Sequence, residues 1–208
     1  AGGLGVFEPR KPAIENLAAY EKNGVEYMVL DPEKFRNKKI VIAGGGDSAL
    51  DWTLFLADVA AELTMVHRGE MFRGAPDSVD KVKELAANGK IKLELNSNIT
   101  NLHGNGKLES VTISNNDGTS KEIEVDHYLA LLGLSPKLGP IANWGLSIEK
   151  NAINVDTRDY STNEKGIYAI GDINNYEGKL KLILCGFHEA AMMCQSAAEL
   201  ISGKKPSL

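Results

Sequence analysis

Cysteine is nearly absent from this chain: Cys185 and Cys194 are the two found in 208 residues. That excludes a disulfide framework and a thiolate metal cluster. Both lie in a stretch of helical spacing, so they read as buried structural thiols in a reducing compartment, the cytoplasm. Long apolar runs are also missing. None reaches the length of a bilayer-spanning helix, and the first residues lack the pattern of a secretion signal, which argues against a membrane protein. Positive charge is in deficit, with 23 Lys and Arg against 28 Asp and Glu and a net charge of −5. A general polyanion or nucleic-acid binder is therefore disfavoured. No Ser-His-Asp set and no cluster of metal ligands is legible, so neither a catalytic side chain nor a metal site is expected. What is present is a chain that is 43% hydrophobic, able to fill one large core or two modest ones.

The most informative stretch is Lys39-Ile40-Val41-Ile42-Ala43-Gly44-Gly45-Gly46-Asp47-Ser48-Ala49. A short apolar strand runs into a glycine turn that opens a helix. In that context Gly-x-Gly-x-x-Gly/Ala signals a dinucleotide site rather than an ordinary turn. Gly44 permits the tight turn, Gly46 lets a pyrophosphate approach the backbone, and Ala49 keeps the helix close to the strand. The amides at the helix start, at the positive end of its dipole, hold the phosphates. Gly44, Gly45, Gly46, Asp47, Ser48 and Ala49 are therefore candidate coenzyme contacts.

A helix over 47–60 and a strand over Glu62–Val66 come next, leading into His67-Arg68-Gly69-Glu70-Met71-Phe72-Arg73. About 20 residues past the glycines an NAD site places Asp or Glu, to accept from the ribose hydroxyl. Here that place holds His67, followed by Arg68. A carboxylate repels a 2′-phosphate, whereas a guanidinium fork grips it. Arg68 and Arg73, with His67 beside them, point to NADP(H) rather than NAD(H). Gly133, in the turn after the last strand of this half, completes the candidate set.

Around this unit the spacing predicts a short helix between Pro12 and Tyr20, a strand over 25–30 and a helical turn at 31–35. After the basic loop, a helix capped by Asp77 or Ser78 ends at Asn88-Gly89. Residues 90–95 alternate as a strand. Residues 101–114, turning at Gly104-Asn105-Gly106, and a strand after Asn116-Asp117-Gly118 make an antiparallel meander. Strand character continues over 122–132 and stops at Gly133-Leu134-Ser135-Pro136. Beyond it come a loop anchored by Trp144, a brief strand over 153–155 and another over 166–170 ending in Gly171-Asp172. A final helix spans 186–201, with Ala190, Met193, Ala197 and Leu200 on its apolar face. About 70 residues in this pattern hold too few strands for an independent α/β domain.

Seven motifs together carry a resemblance. They are Gly5-x-Phe7-x-Pro9-Arg10, the Gly44–Ala49 run, His67-Arg68-x-x-x-Phe72-Arg73, Leu138-Gly139-Pro140-Ile141-x-x-Trp144-Gly145-Leu146, Ala169-Ile170-Gly171-Asp172-Ile173, Tyr176-Glu177-Gly178-Lys179 and Gly186-Phe187-His188-Glu189-Ala190. The chain resembles the two-dinucleotide-domain flavoprotein reductases of thioredoxin reductase type, and among them the ferredoxin–NADP reductases of that architecture. The resemblance implies an α/β fold in which a Rossmann-like NADP-binding domain with a small antiparallel β-meander, residues 12–133, is inserted into an FAD domain. Residues 134–208 are then the C-terminal part of an incomplete FAD-type α/β domain, and residues 1–11 its residual segment and hinge.

By the same resemblance, Asp172, followed by Ile173, matches the acidic residue that hydrogen-bonds the ribityl chain of FAD, and Phe7 flanks the flavin. The amides near Phe187 and His188 face the isoalloxazine pyrimidine edge. The implied activity passes hydride from NADPH to FAD and electrons onward to ferredoxin or a flavodoxin-like carrier. A homodimer is implied too, as is domain rotation about hinges at Pro9–Pro12 and Gly133–Pro136. The family's opening strand and first glycine fingerprint do not occur in this sequence. The expectation is a piece of a longer reductase that binds NADP(H) and holds FAD weakly. The Cys-x-x-Cys of thioredoxin reductases is missing from Tyr27-Met28-Val29-Leu30-Asp31-Pro32, which excludes disulfide reduction by that route. Two other readings stay open: a non-catalytic NADP(H)-binding module, and a flavin reductase acting on another acceptor.

Overall fold

The chain packs into two compact units, one being Pro9–Leu134 and the other drawn from the residues on either side of it. The computed structural model describes residues 7–204, so Gly5 and the rest of the opening glycine cluster lie outside the described residues. The first unit is entered through β1 (Phe7–Pro9) and a short helix, α1 (Leu17–Tyr20). It continues with β2 (Val25–Glu26), a 3-10 turn at Pro32–Phe35, β3 (Lys39–Gly44), α2 (Asp47–Leu56), β4 (Glu62–Val66), α3 (Pro76–Ala87) and β5 (Lys92–Glu94). A hairpin of β6 (Ser97–His103) and β7 (Ser110–Asn115), extended by β8 (Ser120–Glu124), precedes β9 (His127–Leu131).

Five of these strands form one sheet in the order β2-β9-β3-β4-β5, and every neighbouring pair is parallel. Such a sheet needs cover on both faces, and the period-2 alternation of its strands provides for it. Val41 and Ala43 of β3, with Tyr128 and Ala130 of β9, point to a core shared with α1 and the meander. Ile40 and Ile42, with Leu129 and Leu131, point the other way, to Ala49, Leu50 and Leu56 of α2 and Val82 of α3. The meander β6-β7-β8 is antiparallel, with a register shift between Ile99 and Asn101.

The strand expected to run unbroken over 122–132 is two strands in two sheets. Val125 N–H still bonds the Glu109 carbonyl of the meander at 2.9 Å, but Asp126 belongs to the other sheet. Its amide donates to the Lys39 carbonyl at 2.7 Å, and its carboxylate accepts from the Lys39 amide at 2.9 Å. One aspartate thus moves the chain from one sheet to the next.

In the other unit, β10 (Leu134–Pro136) pairs with β1. Then come β11 (Ile148–Glu149), β12 (Ala152–Asn154) and β13 (Asn174–Asn175), which form a three-stranded sheet, and the helix α4 (Ile183–Ser202). The core is small: Leu138, Leu146, Ile153, Ala169 and Ile173. Four expectations are corrected here. Residues 166–170 are not a strand, because Thr162 takes the Ile167 carbonyl with both its amide and its hydroxyl. Only the Ser161–Tyr168 bridge remains of a ladder. Trp144 is no anchor, being 55% exposed. Cys185 is half-buried and Cys194 exposed, not buried. The single buried residue of α4 is a glutamate, Glu189, so no apolar stripe seats this helix.

Candidate functional site

The strand order reverses between β3 and its two neighbours: the chain proceeds from β3 through α2 to β4 on one side, and β9 fills the other. At such a switch point the carboxyl ends of the strands leave a crevice. Gly44 and Leu131 are register partners at those ends, and Gly133, at φ +92°, lies two residues further on. A Cβ on Gly44 would come within 2.5 Å of the Leu131 carbonyl and 2.6 Å of Ala49 Cβ. Gly44 is therefore needed for close packing of strand, strand and helix rather than for a left-handed turn. Gly46 differs: a Cβ there meets nothing within 4 Å, so its face is open. It caps α2 in extended conformation (φ −101°, ψ 178°) without a side-chain bond. Ala49 and Leu50 N–H both return to the Gly46 carbonyl. That leaves the amides of Gly46, Asp47 and Ser48 without an acceptor among the described residues, at the positive end of the helix dipole. An anion is the natural complement to this end.

Asp47 does not face that opening. Its Oδ1 accepts the Ala75 amide at 2.7 Å, and Gly74 packs so closely that a Cβ would meet Leu50 Cδ1 at 2.4 Å. The aspartate thereby straps the basic loop to the start of α2. Arg73 adds a main-chain tie, its amide donating to the Gly45 carbonyl at 2.7 Å. Arg68 and Arg73 are both exposed. Arg36 and Arg158 are bridged to Glu33 and Asp156, whereas neither Arg68 nor Arg73 has a carboxylate partner among the described residues. Two unpaired guanidiniums thus stand on a loop bonded to the glycine turn. His67 is not a third free ligand beside them. It is 8% exposed, stacks on Phe72 with ring centroids 4.7 Å apart, and its Nε2 lies 3.0 Å from the Met71 carbonyl. Ser48 is exposed on the first turn of α2, and Ala49 is fully buried beneath it.

In the other unit, Asp172 is exposed in the 3-10 turn Gly171–Ile173, which opens at φ +76° on Gly171, while Ile173 is buried. Phe187 and His188 are exposed on α4, and Phe7 is half-buried in β1. The helix begins three residues earlier than its glycine suggested, at Ile183, and Gly186 N–H already donates to the Leu182 carbonyl. The unladdered amides are thus those of Ile183, Leu184 and Cys185, not of Phe187 and His188. The apolar Ile183-Leu184 pair carries no capping signal, which is why the glycine looked like the start.

The residue that organises this region is Glu189, at 0% exposure. Its Oε2 accepts from the Gly171 amide at 2.6 Å and from Asn174 Nδ2 at 2.9 Å. Its Oε1 accepts from the Tyr176 hydroxyl at 2.9 Å and pairs with the Lys179 ammonium. Burial pushes this carboxyl up, but Lys179, the Gly171 amide and Tyr176 outweigh it and hold the pKa below the ordinary value. Burial and the carboxylate together push the Tyr176 phenol up. Glu189 thus holds the turn bearing Asp172 to α4. The motif Gly186–Ala190 contained it, but nothing local in the sequence marks a glutamate as the buried residue of a helix.

A model of the pyridine nucleotide-disulphide oxidoreductase family matches residues 4–197. Ferredoxin–NADP reductase 1 of Christiangramia forsetii is 61% identical, over 99% of this chain and 59% of the relative. The ferredoxin–NADP reductase of Flavobacterium johnsoniae is 59% identical over the same shares, 99% and 59%. The chain thus spans 59% of the length of these curated relatives. Among solved structures, thioredoxin reductase from Lactococcus lactis is similar with a TM-score of 0.80 at 27% identity, covering 95% of this chain and 64% of that one. Thioredoxin reductase from T. acidophilum is similar in fold, with a TM-score of 0.81 at 22% identity over 94% and 64%. A parallel sheet with a glycine-lined switch point, continued into a family match along nearly all of the sequence, leads to one assignment: this chain belongs to the pyridine nucleotide-disulphide oxidoreductase family.

Proposed function

We propose that this chain carries the NADP(H)-binding part, and a portion of the FAD-binding part, of an NADPH-dependent flavoprotein oxidoreductase that delivers electrons to ferredoxin or a similar carrier. The single observation that carries the coenzyme half is the open face at Gly46, beside helix amides and, on the loop strapped to it, Arg68 and Arg73, all without a partner among the described residues. Within residues 12–133, the amides of Gly46, Asp47 and Ser48 receive the pyrophosphate. Gly44 and Ala49 keep helix and strand close enough for those amides to converge, and Gly133 leaves the opposite lip of the crevice without a side chain. Arg68 and Arg73 take the 2′-phosphate, the group that separates NADPH from NADH.

The chemistry that bound FAD would supply is hydride acceptance and one-electron release. This chain's residues would hold and orient it. Asp172 offers an exposed carboxylate on a turn fixed by Glu189, Ile173 anchors that turn in the core, and Phe7 and Phe187 offer apolar surface. The ferredoxin–NADP reductase names of the relatives support ferredoxin as acceptor; a cytoplasmic setting, a homodimer and hinges at Pro9–Pro12 and Gly133–Pro136 are proposed from the resemblance of the sequence motifs alone.

Titration calorimetry with NADPH and NADH, together with the visible absorbance of the purified chain, tests this. Saturable binding of NADPH, at least about tenfold tighter than NADH, is expected. Flavin absorbance after incubation with FAD and gel filtration supports a retained flavin contact. Equal affinity for the two coenzymes contradicts the proposal.

A further inference from the structure

The middle position of the dinucleotide fingerprint is open to any residue, yet here it is Gly45. A Cβ on Gly45 would lie 2.1, 2.4 and 2.9 Å from Cε1, Nδ1 and Nε2 of His67. All three atoms belong to one imidazole, so the ring occupies the space a side chain would need. The same ring stacks on Phe72 at 4.7 Å with an interplanar angle of 18°. Its Nε2 is 3.0 Å from the Met71 carbonyl; since a carbonyl only accepts, Nε2 carries the proton and donates. The circuit closes through the main chain, where Arg73 N–H donates to the Gly45 carbonyl at 2.7 Å. His67 is held at its own backbone as well, its amide on the Glu94 carbonyl at 2.8 Å and its carbonyl on the Ser97 amide at 3.0 Å. The ring is thus a spacer of fixed height between glycine turn and basic loop.

We propose that His67 is a positioning residue, not a phosphate ligand: seated on Gly45, it sets through Met71 and Phe72 the placement of Arg68 and Arg73, and so the preference for a 2′-phosphorylated coenzyme. The inference rests on the coenzyme reading above. It also accounts for Gly45, whose missing side chain makes room for a histidine rather than for a ligand. The glycine and the histidine form one specificity-determining pair. A methyl group at position 45 displaces the ring, the ring displaces Phe72, and the arginines lose their register with the helix amides.

Calorimetric titration with NADPH and NADH of the wild type, Gly45→Ala, His67→Ala, the double variant and Phe72→Leu reads this coupling, with circular dichroism melts to verify folding. Gly45→Ala is expected to weaken NADPH by about tenfold and NADH by less than about twofold. In the His67→Ala background the three atoms nearest to the added methyl are gone, so its further effect on NADPH is expected below about twofold. Phe72→Leu, which leaves the glycine turn untouched and fills the same loop, lowers the NADPH preference on its own. His67→Phe, which keeps a stacked ring, retains more of that preference than His67→Ala. The inference is overturned if Gly45→Ala weakens both coenzymes equally and by the same factor in both backgrounds, because Gly45 then faces the coenzyme itself. A wild type indifferent to the 2′-phosphate overturns the coenzyme reading and this inference together, and is recognisable from the wild type alone.

Discussion

Charge without a counter-charge is the residue-scale feature with the clearest consequence. Arg68 and Arg73 are exposed and have no carboxylate partner among the described residues, so replacing them removes no ion pair there and is expected to leave the fold intact. Arg68→Ala with Arg73→Ala is expected to weaken NADPH by about 2 kcal/mol or more, in line with charge-assisted bonds to phosphate. NADH, which lacks that phosphate, changes little; fluorescence titration of both coenzymes checks the split, and equal loss contradicts it. The glycines and the arginines were legible in the sequence because each depends on neighbours a few positions away, strand then turn then helix. What His67 does was not legible. Its partners are Gly45, in the turn after β3, and Phe72, brought back by a loop, and the residue type alone suited a ligand equally well. Glu189 was invisible for a stronger reason. A glutamate beside a histidine reads as the polar edge of a helix, and only the fold brings Gly171, Asn174, Tyr176 and Lys179 to it.

At the scale of elements, α4 is attached to its unit by a buried ion pair more than by an apolar face, and this gives it a pH signature. A carboxyl with a depressed pKa contributes its full stabilisation above the ordinary glutamate value of 4.5 and loses it as the pH falls through the folded-state value. Glu189→Gln leaves the Lys179 ammonium buried without its counterion, a loss of about 3 to 5 kcal/mol at neutral pH. Thermal melts between about pH 3 and about pH 7 are expected to show wild type and variant converging at the acid end. Parallel curves would deny Glu189 this role. The elements themselves were read well where one periodicity persisted, as in β4 over Glu62–Val66; α3 ends where expected but starts at Pro76 behind Ala75, with no side-chain cap from Asp77 or Ser78, because the proline takes the first helical position. They were misread where tertiary partners took over: at Asp126, where a carboxylate bonding the Lys39 amide splits one apparent strand into two, and at Thr162, which withholds Ile167 from any ladder.

Across the whole molecule, two chain crossings join the units, and they run together: β1 pairs with β10, Glu8 bridges to Lys137 at 2.6 Å, and Arg10 N–H bonds the Gly133 carbonyl at 2.9 Å. A disulfide from Glu8→Cys with Lys137→Cys, introduced into the full-length enzyme, is expected to slow flavin reduction by NADPH at least about fivefold if these crossings act as hinges, with reductant restoring the rate. Stopped-flow absorbance reads the outcome, and an unchanged rate removes the hinge. The α/β class was legible from the alternation of short apolar runs with helical spacing, but the order of strands was not, because period-2 patterning says which face a strand buries and nothing about its neighbours. That order bears on synthesis. The strand laid down last in the parallel sheet, β9, is inserted between β2 and β3, so a nascent chain that has not yet delivered His127–Leu131 leaves Ile40 and Ile42 on an unguarded rim. A ribosome pausing before that point holds a sticky, half-assembled sheet, and chaperone dependence of this protein should concentrate in that interval.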